Sequence, residues 1–202
     1  SQNVINAAID QKVKKVILVS SDKAAHPVNL YGATKLCAEK LFTSGNIYAW
    51  KKTKLCSVRY GNVIGSRGSI VETLLNNKNI KMVQITDPQM TRFWITLDQA
   101  SKLVLFALEN MEGGEVFIPK IPSMKLVDLF NALAPNAKQK TIGIRPGEKL
   151  HEILLTEQEA LDARELKDHF VVVPKYLHQD KMKKKNFEKY FTIQQKITQL
   201  SA

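Results

Sequence analysis

A chain of 202 residues with 44% hydrophobic content holds enough apolar material for one packed core. Neither a membrane span nor a secretory signal peptide is expected from its hydropathy pattern. Lys and Arg outnumber Asp and Glu by 30 to 19, so acidic ligands and surfaces, rather than cationic ones, suit the formal net charge of +11.

The chain opens in a helical pattern, with Val4, Ile5, Ala8 and Ile9 sharing one face. A dinucleotide-binding sheet begins with a strand, a Gly-rich turn and a helix, and no such turn precedes this helix. The expectation is therefore the rear portion of a longer protein, without the first mononucleotide-binding half. Val16–Val19 is a run of apolar, mostly β-branched residues, the pattern of a parallel-sheet strand buried on both faces. Ser20, Ser21, Asp22 and Lys23 follow its carboxyl end, where open α/β sheets place ligands. Pro27 and Asn29 belong to the next turn, and a helix starts near Leu30. Tyr31 and Lys35 are one helical turn apart on a shared face. An ammonium beside a phenol favours phenolate, a usable base near neutral pH. An isolated pair of this kind is ordinarily a solvated helix face; after a strand ending in Ser-Ser-Asp-Lys it becomes a candidate site.

Leu55–Arg59 reads as the next strand. The loop from Gly61 to Ser69 is rich in glycine, carries Asn62 and Arg67, and lets backbone approach a ligand closely. Residues 70–80 look helical, and Phe93–Ile95 reads as a strand. Thr96 with Gln99 forms a capping box for a helix over Leu97–Asn110. A strand follows at Glu115–Ile118. Ser123 precedes a helix expected over Lys125–Ala134, and a strand is expected at Thr141–Ile144. The turn Arg145-Pro146-Gly147-Glu148 leads into a short helix with Leu150 and Ile153. Thr156 and Glu159 make a second capping box, before a helix over Ala160–Leu166. Cys37 and Cys56 lack metal-ligand spacing and lie in apolar patterns, so both are expected to be reduced and structural, with no metal site. Lys175, Lys181, Lys183, Lys184, Lys185 and Lys189 make a basic tail, ordinarily solvated. Such a run could touch nucleic acid or anionic lipid, but no nucleic-acid module accompanies it.

The strand-end Ser20-Ser21-Asp22-Lys23 and Tyr31-x-x-x-Lys35 resemble the extended short-chain dehydrogenase/reductase family. Within it, Ser21-Asp22-Lys23-Ala24-Ala25, Asn29 to Cys37, Arg59-Tyr60-Gly61-Asn62-Val63, Met90 to Thr96 and Ile144 to Glu152 are similar to the C5-inverting UDP-N-acetylglucosamine 4,6-dehydratases, which open pseudaminic acid and surface-glycan biosynthesis. The resemblance runs from residue 1 to about Pro174. Ser21 departs from it, since Thr is usual there; both carry a hydroxyl. Tyr31 suits the inverting type, because membrane-bound retaining relatives usually have Met at that position.

The resemblance implies an α/β fold: the rear part of an NAD(P)-binding Rossmann domain with a parallel sheet over 1–68 and a smaller α/β substrate-binding region with returning Rossmann elements over 69–174; beyond it, a basic tail, helical or mobile, is expected over 175–202. It implies catalytic roles for Asp22 (acid at O6), Lys23 (base at C5) and Tyr31 (at O4). Ser21, Tyr31, Lys35, Tyr60, Gly61, Asn62 and Val63 would line the cofactor, NADP with NAD not excluded. Lys23, Asn62, Arg67, Arg92, Arg145 and Glu148 would hold the UDP-amino sugar, with the arginines on the diphosphate, for which planar guanidinium is suited. An Asp acting as acid at neutral pH needs burial to raise its pKa, and a Lys acting as base needs its own lowered. The implied enzyme is a cytoplasmic homo-oligomer that binds no nucleic acid. An epimerase of the same superfamily, or an inactive fragment that binds only the UDP-sugar, remains the alternative; an epimerase has no need of Lys23 at C5.

Overall fold

The computed structural model describes residues 1–49, 52–77 and 80–177, so the lysines from Lys181 to Lys189 lie outside the described residues. Helix α1 (Gln2–Asp10) leads to strand β1 (Lys15–Val19), a single 3-10 turn (Asp22–Ala24), helix α2 (Leu30–Tyr48) and strand β2 (Lys54–Val58). β1 and β2 pair in parallel, with Val16 opposite Leu55 and Ile17 opposite Cys56. Alternation along the two strands divides the core by face. Val16, Leu18 and Leu55 meet Ile5 of α1 and Phe42 of α2. Ile17, Cys56 and Val58 meet Leu103 and Ala107 of helix α4 (Leu97–Asn110), and Met111 just past its end, on the other side. Helices thus cover both faces of a parallel sheet, the arrangement of a Rossmann-type α/β fold.

Strand β6 (Val116–Pro119) pairs in parallel with β2, and β10 (His169–Val172) and β9 (Ala163–Glu165) extend that sheet antiparallel, giving the order β1-β2-β6-β10-β9. A second sheet joins β3 (Asn62–Val63), β5 (Thr91–Ile95) and β7 (Ser123–Lys125). Strands β4 (Met82–Ile85) and β8 (Lys138–Thr141) pair separately, against α3 (Ile70–Asn76) and α5 (Leu126–Leu133). The four-residue helix α6 (Glu157–Ala160) precedes β9.

Several sequence expectations change. β1 is an edge strand, so its residues are only half-buried and Val19 is 45% exposed, instead of buried on both faces. The helix over Ala160–Leu166 stops at Ala160, because Ala163–Glu165 pairs with β10. No helix forms around Leu150 and Ile153: Leu150 O accepts from Thr91 N, and His151 bridges Thr91. The Thr141–Ile144 strand lies earlier, at β8, and Ser123 opens strand β7, which runs directly into α5, so the helix expected over Lys125–Ala134 forms one residue shorter at each end. Part of the Gly-rich loop is strand β3, in parallel register with β5. Both capping boxes form as read. Cys56 is buried, whereas Cys37 is exposed on the outer side of α2, so the core role expected for both holds for Cys56 alone.

One buried ion cluster ties these layers together. Arg59, fully buried, donates through Nε to Glu39 Oε1 at 3.0 Å and through Nη1 and Nη2 to the two carboxylate oxygens of Glu159 at 2.8 Å. Its Nη1 also donates to Leu154 O at 2.9 Å. Helix α2, the end of β2 and the cap of α6 are therefore held by one guanidinium.

Candidate active site

The pairing of β1 with β2 continues past both strand ends: Ser20 N donates to Val58 O at 2.8 Å and Asp22 N to Tyr60 O at 3.0 Å. This sets Ser20–Lys23 beside Tyr60–Asn62 at the carboxyl edge of the sheet. Ser21 caps the 3-10 turn, accepting from Lys23 N, and its hydroxyl donates to Asp22 Oδ1 at 2.8 Å. Asp22 is fully buried. Lys23 Nζ lies 3.0 Å from Asp22 Oδ1, and its side chain keeps 32% of its surface exposed, so the amine is reachable from outside while the carboxyl is covered. Among the described residues, Asp22 Oδ2 and Ser20 Oγ are buried without a hydrogen-bond partner. Orphaned buried oxygens carry a cost unless something satisfies them, so they mark a place for a polar ligand group.

Helix α2 begins beside this turn. Asn29 accepts from Gly32 N at 2.8 Å as N-cap. Gly32 presses against the turn so closely that a Cβ there would come within 2.4 Å of Lys23 O, so only glycine lets helix and turn meet. Tyr31 is 53% exposed in the first turn of α2. Lys35 Nζ lies 5.8 Å from the centre of its ring and donates to Val19 O at 3.4 Å. Phenol, ammonium and the strand-end hydroxyls share one edge, a donor set that fits the nicotinamide and ribose end of a dinucleotide. Gly61 is packed onto β5, where a Cβ would lie 2.5 Å from Phe93 Cβ. The side chains of Tyr60 and Val63 pack on the core clusters, so Tyr60 serves the site through its carbonyl. Burial pushes the Tyr60 phenol above its ordinary pKa.

The turn after β8 is brought over the start of α2 by two long-range bonds. Asn29 Nδ2 donates to Gly147 O at 2.8 Å, and Lys149 Nζ donates to Ala25 O at 2.8 Å. Arg145 is exposed at the head of this turn, and Glu148 Oε2 accepts from Arg145 N at 3.3 Å. Arg92 is 8% exposed, with Nη1 donating to Thr91 O at 2.7 Å and to Leu150 O at 3.2 Å. One corner of that guanidinium therefore holds backbone. Arg67 is exposed in the loop after β3, and no hydrogen bond or ion pair among the described residues ties it to the Asp22 turn.

Two charged residues stand at the site without a role assigned from sequence. Glu152, 6% exposed, places Oε1 4.0 Å from Lys23 Nζ and Oε2 2.8 Å from Lys149 Nζ. The available signal was their three-residue spacing within a motif already singled out, which pairs them locally. Among the described residues no group of three or more His, Cys, Asp or Glu could hold a metal, and no helix is long and apolar enough to cross a membrane.

Residues 1–174 match the family described as "Polysaccharide biosynthesis protein". The chain is 50% identical over 184 residues to a Campylobacter jejuni subsp. jejuni serotype O:2 protein named UDP-N-acetylglucosamine 4,6-dehydratase (inverting), covering 90% of this chain and 55% of that protein. It is 40% identical over 176 residues to a Rickettsia rickettsii protein named UDP-glucose 4-epimerase, covering 84% of this chain and 52% of that one. The X-ray structure of Pen from Bacillus thuringiensis superposes with a TM-score of 0.81 at 45% identity, covering 86% of this chain and 57% of that one. The chain thus spans about half the length of the curated relatives it matches.

Proposed function

The chain belongs to the polysaccharide biosynthesis protein family, and on that premise we propose that the complete protein is a cytoplasmic, C5-inverting UDP-N-acetylglucosamine 4,6-dehydratase. The observation that carries this reading is the buried Asp22 paired with a partly exposed Lys23 at the strand end beside Tyr31 and Lys35. When bound, a nicotinamide dinucleotide, NADP in this reading, supplies hydride acceptance at C4 and hydride return at C6. Tyr31 takes the proton of the 4-hydroxyl, and Lys35 holds the nearby ribose. The resulting ketone acidifies the C5–H bond, and Lys23 removes that proton. Asp22 gives its proton to the 6-hydroxyl, the C6–O bond breaks, and water leaves. C5 takes up a proton from solvent on the face opposite Lys23, which inverts it, and the proton held by Lys23 returns to solvent. Ser21, Gly61, Asn62 and the backbone of Tyr60 and Val63 line the cofactor; Asn62, Arg67, Arg92, Arg145 and Glu148 hold the nucleotide sugar. The strongly exposed Leu30 and Ile47 of α2 support a homo-oligomer.

The similarity to a protein named an epimerase keeps a second reading, in which only C4 is inverted. Incubating the complete protein with UDP-N-acetylglucosamine and following it by NMR separates the two. A 6-deoxy-4-keto product with inverted C5 is expected; a product inverted at C4 that retains its 6-hydroxyl would replace this reading with the epimerase.

The diphosphate assignment has its own test. A charge-assisted hydrogen bond contributes about 1.5–3 kcal/mol, so Arg145→Ala should weaken UDP binding roughly tenfold to a hundredfold by calorimetry. Unchanged affinity would remove Arg145 from the site.

A further inference from the structure

The segment from Lys149 to Glu152 grips the Asp22–Ala24 turn at two points, and the reaction scheme above leaves it without work. Lys149 Nζ fixes the backbone just past the turn through Ala25 O, at 2.8 Å. Glu152 approaches the tip of Lys23, with 4.0 Å between Oε1 and Nζ. The segment is itself fastened to β5: Leu150 O accepts from Thr91 N and from Arg92 Nη1, both at 3.2 Å, and His151 Nδ1 shares a 2.8 Å hydrogen bond with Thr91 Oγ1. The place of the Glu152 carboxylate is thus set from the β5 side, independently of Lys23.

Four charges alternate here, in the order Asp22, Lys23, Glu152, Lys149. A carboxylate as buried as Glu152 needs a counter-charge, and Lys149 supplies one at 2.8 Å. The contact to Lys23 is longer and can open without leaving Glu152 uncompensated. Asp22, in contrast, holds Lys23 at 3.0 Å and is the residue next to it in the chain. With Asp22 as the sole anion, the amine would rest against the group that has to act separately from it at O6.

We propose that Glu152 is a positioning residue that draws the Lys23 amine away from Asp22, with Lys149 holding Glu152 in place. The inference rests on the reading of Lys23 as the base at C5. It predicts an effect confined to the proton transfer at C5, because neither Glu152 nor Lys149 is assigned a contact with the nucleotide.

The test uses the complete protein with UDP-N-acetylglucosamine and with the same substrate deuterated at C5, and the turnover of each is followed by NMR, so that the isotope effect reads proton removal from the face Lys23 addresses. Misplacing a reacting group by about an ångström costs up to about a hundredfold, so Glu152→Gln should slow turnover roughly tenfold to a hundredfold, with a larger isotope effect than wild type. UDP affinity should stay near wild type, the thermal midpoint should fall with the loss of one partner of the Lys149 pair, and Glu152→Asp should recover part of the rate by restoring the charge. Lys23→Ala is run alongside. Wild-type turnover in Lys23→Ala would overturn the reading of Lys23 as the base, on which the proposal rests. A Lys23→Ala protein without turnover beside a Glu152→Gln protein with wild-type turnover and isotope effect would overturn the positioning role alone. A Glu152→Gln protein that loses turnover and UDP affinity together, without recovery in the Asp variant, would make Glu152 a structural residue and also overturn it.

Discussion

Lys23→Ala in the complete protein should lower turnover of UDP-N-acetylglucosamine by a factor of about 10²–10⁴, the usual contribution of a positioned general base. Binding of UDP should change little, because the assigned diphosphate groups lie on other segments. The reason for expecting so large an effect is geometric. Lys23 is the ammonium closest to the buried Asp22, and its side chain is the partly open member of the pair. Asp22→Asn should give a loss of similar size by a different route, since an amide has no carboxylic proton to deliver to the 6-hydroxyl. The Ser21 hydroxyl, 2.8 Å from Asp22 Oδ1, can still hydrogen-bond the amide that replaces it, so the turn is expected to survive. Rates by NMR and affinities by calorimetry on both variants decide the point. Near-wild-type turnover in either would sink that residue's assignment.

The second large effect concerns stability. Arg59→Met should destabilise the protein by about 3–5 kcal/mol, because removing one partner of a buried ion cluster leaves uncompensated charge. Here two carboxylates, Glu39 at 1% exposure and Glu159, would lose their guanidinium. Acid should reveal the same cluster in the wild type. Burial alone would raise the pKa of Glu159, but the hydrogen bonds and charge of Arg59, together with the Thr156 cap, outweigh it and hold the carboxyl at about 2. A pKa lowered by folding means that the unfolded chain binds more protons below the ordinary value near 4.5. The stabilisation is therefore complete above that value and disappears as pH falls toward about 2. Thermal midpoints measured across this acid range should fall steadily in the wild type and less steeply in Arg59→Met. Parallel curves would mean that Glu159 is not what the acid limb reports.

The site and the fold were legible to different degrees, for reasons that particular residues make plain. Asp22, Lys23, Tyr31 and Lys35 could be picked out because their chemistry rests on local spacing: a strand end, a turn and one helical repeat. Both capping boxes were readable for the same reason, since Thr96 with Gln99 and Thr156 with Glu159 satisfy the first turn of their own helices. The failures fall where a neighbouring strand, not the local pattern, decides. Ala163–Glu165 carries a helical pattern but becomes a strand because β10, which begins at His169, offers a ladder. Leu150 and Ile153 were read as helical, yet β5 claims the carbonyl of Leu150. Strands β4, β9 and β10 were not anticipated, and each is short and defined by its neighbour.

By itself, then, the sequence determined the α/β class, the helices that flank β1 and β2, and the candidate site residues at the end of β1. Each of these depends on periodicity, on capping, or on groups a few residues apart. Only the tertiary structure decided that Arg59 is a buried clasp, that Arg92 spends part of its guanidinium on carbonyls, and that Lys149 and Glu152 complete the charge chain at Lys23. A buried charge is defined by what neutralises it, and these neutralising groups come from segments as far apart as Lys23 and Glu152, a separation that no local pattern encodes.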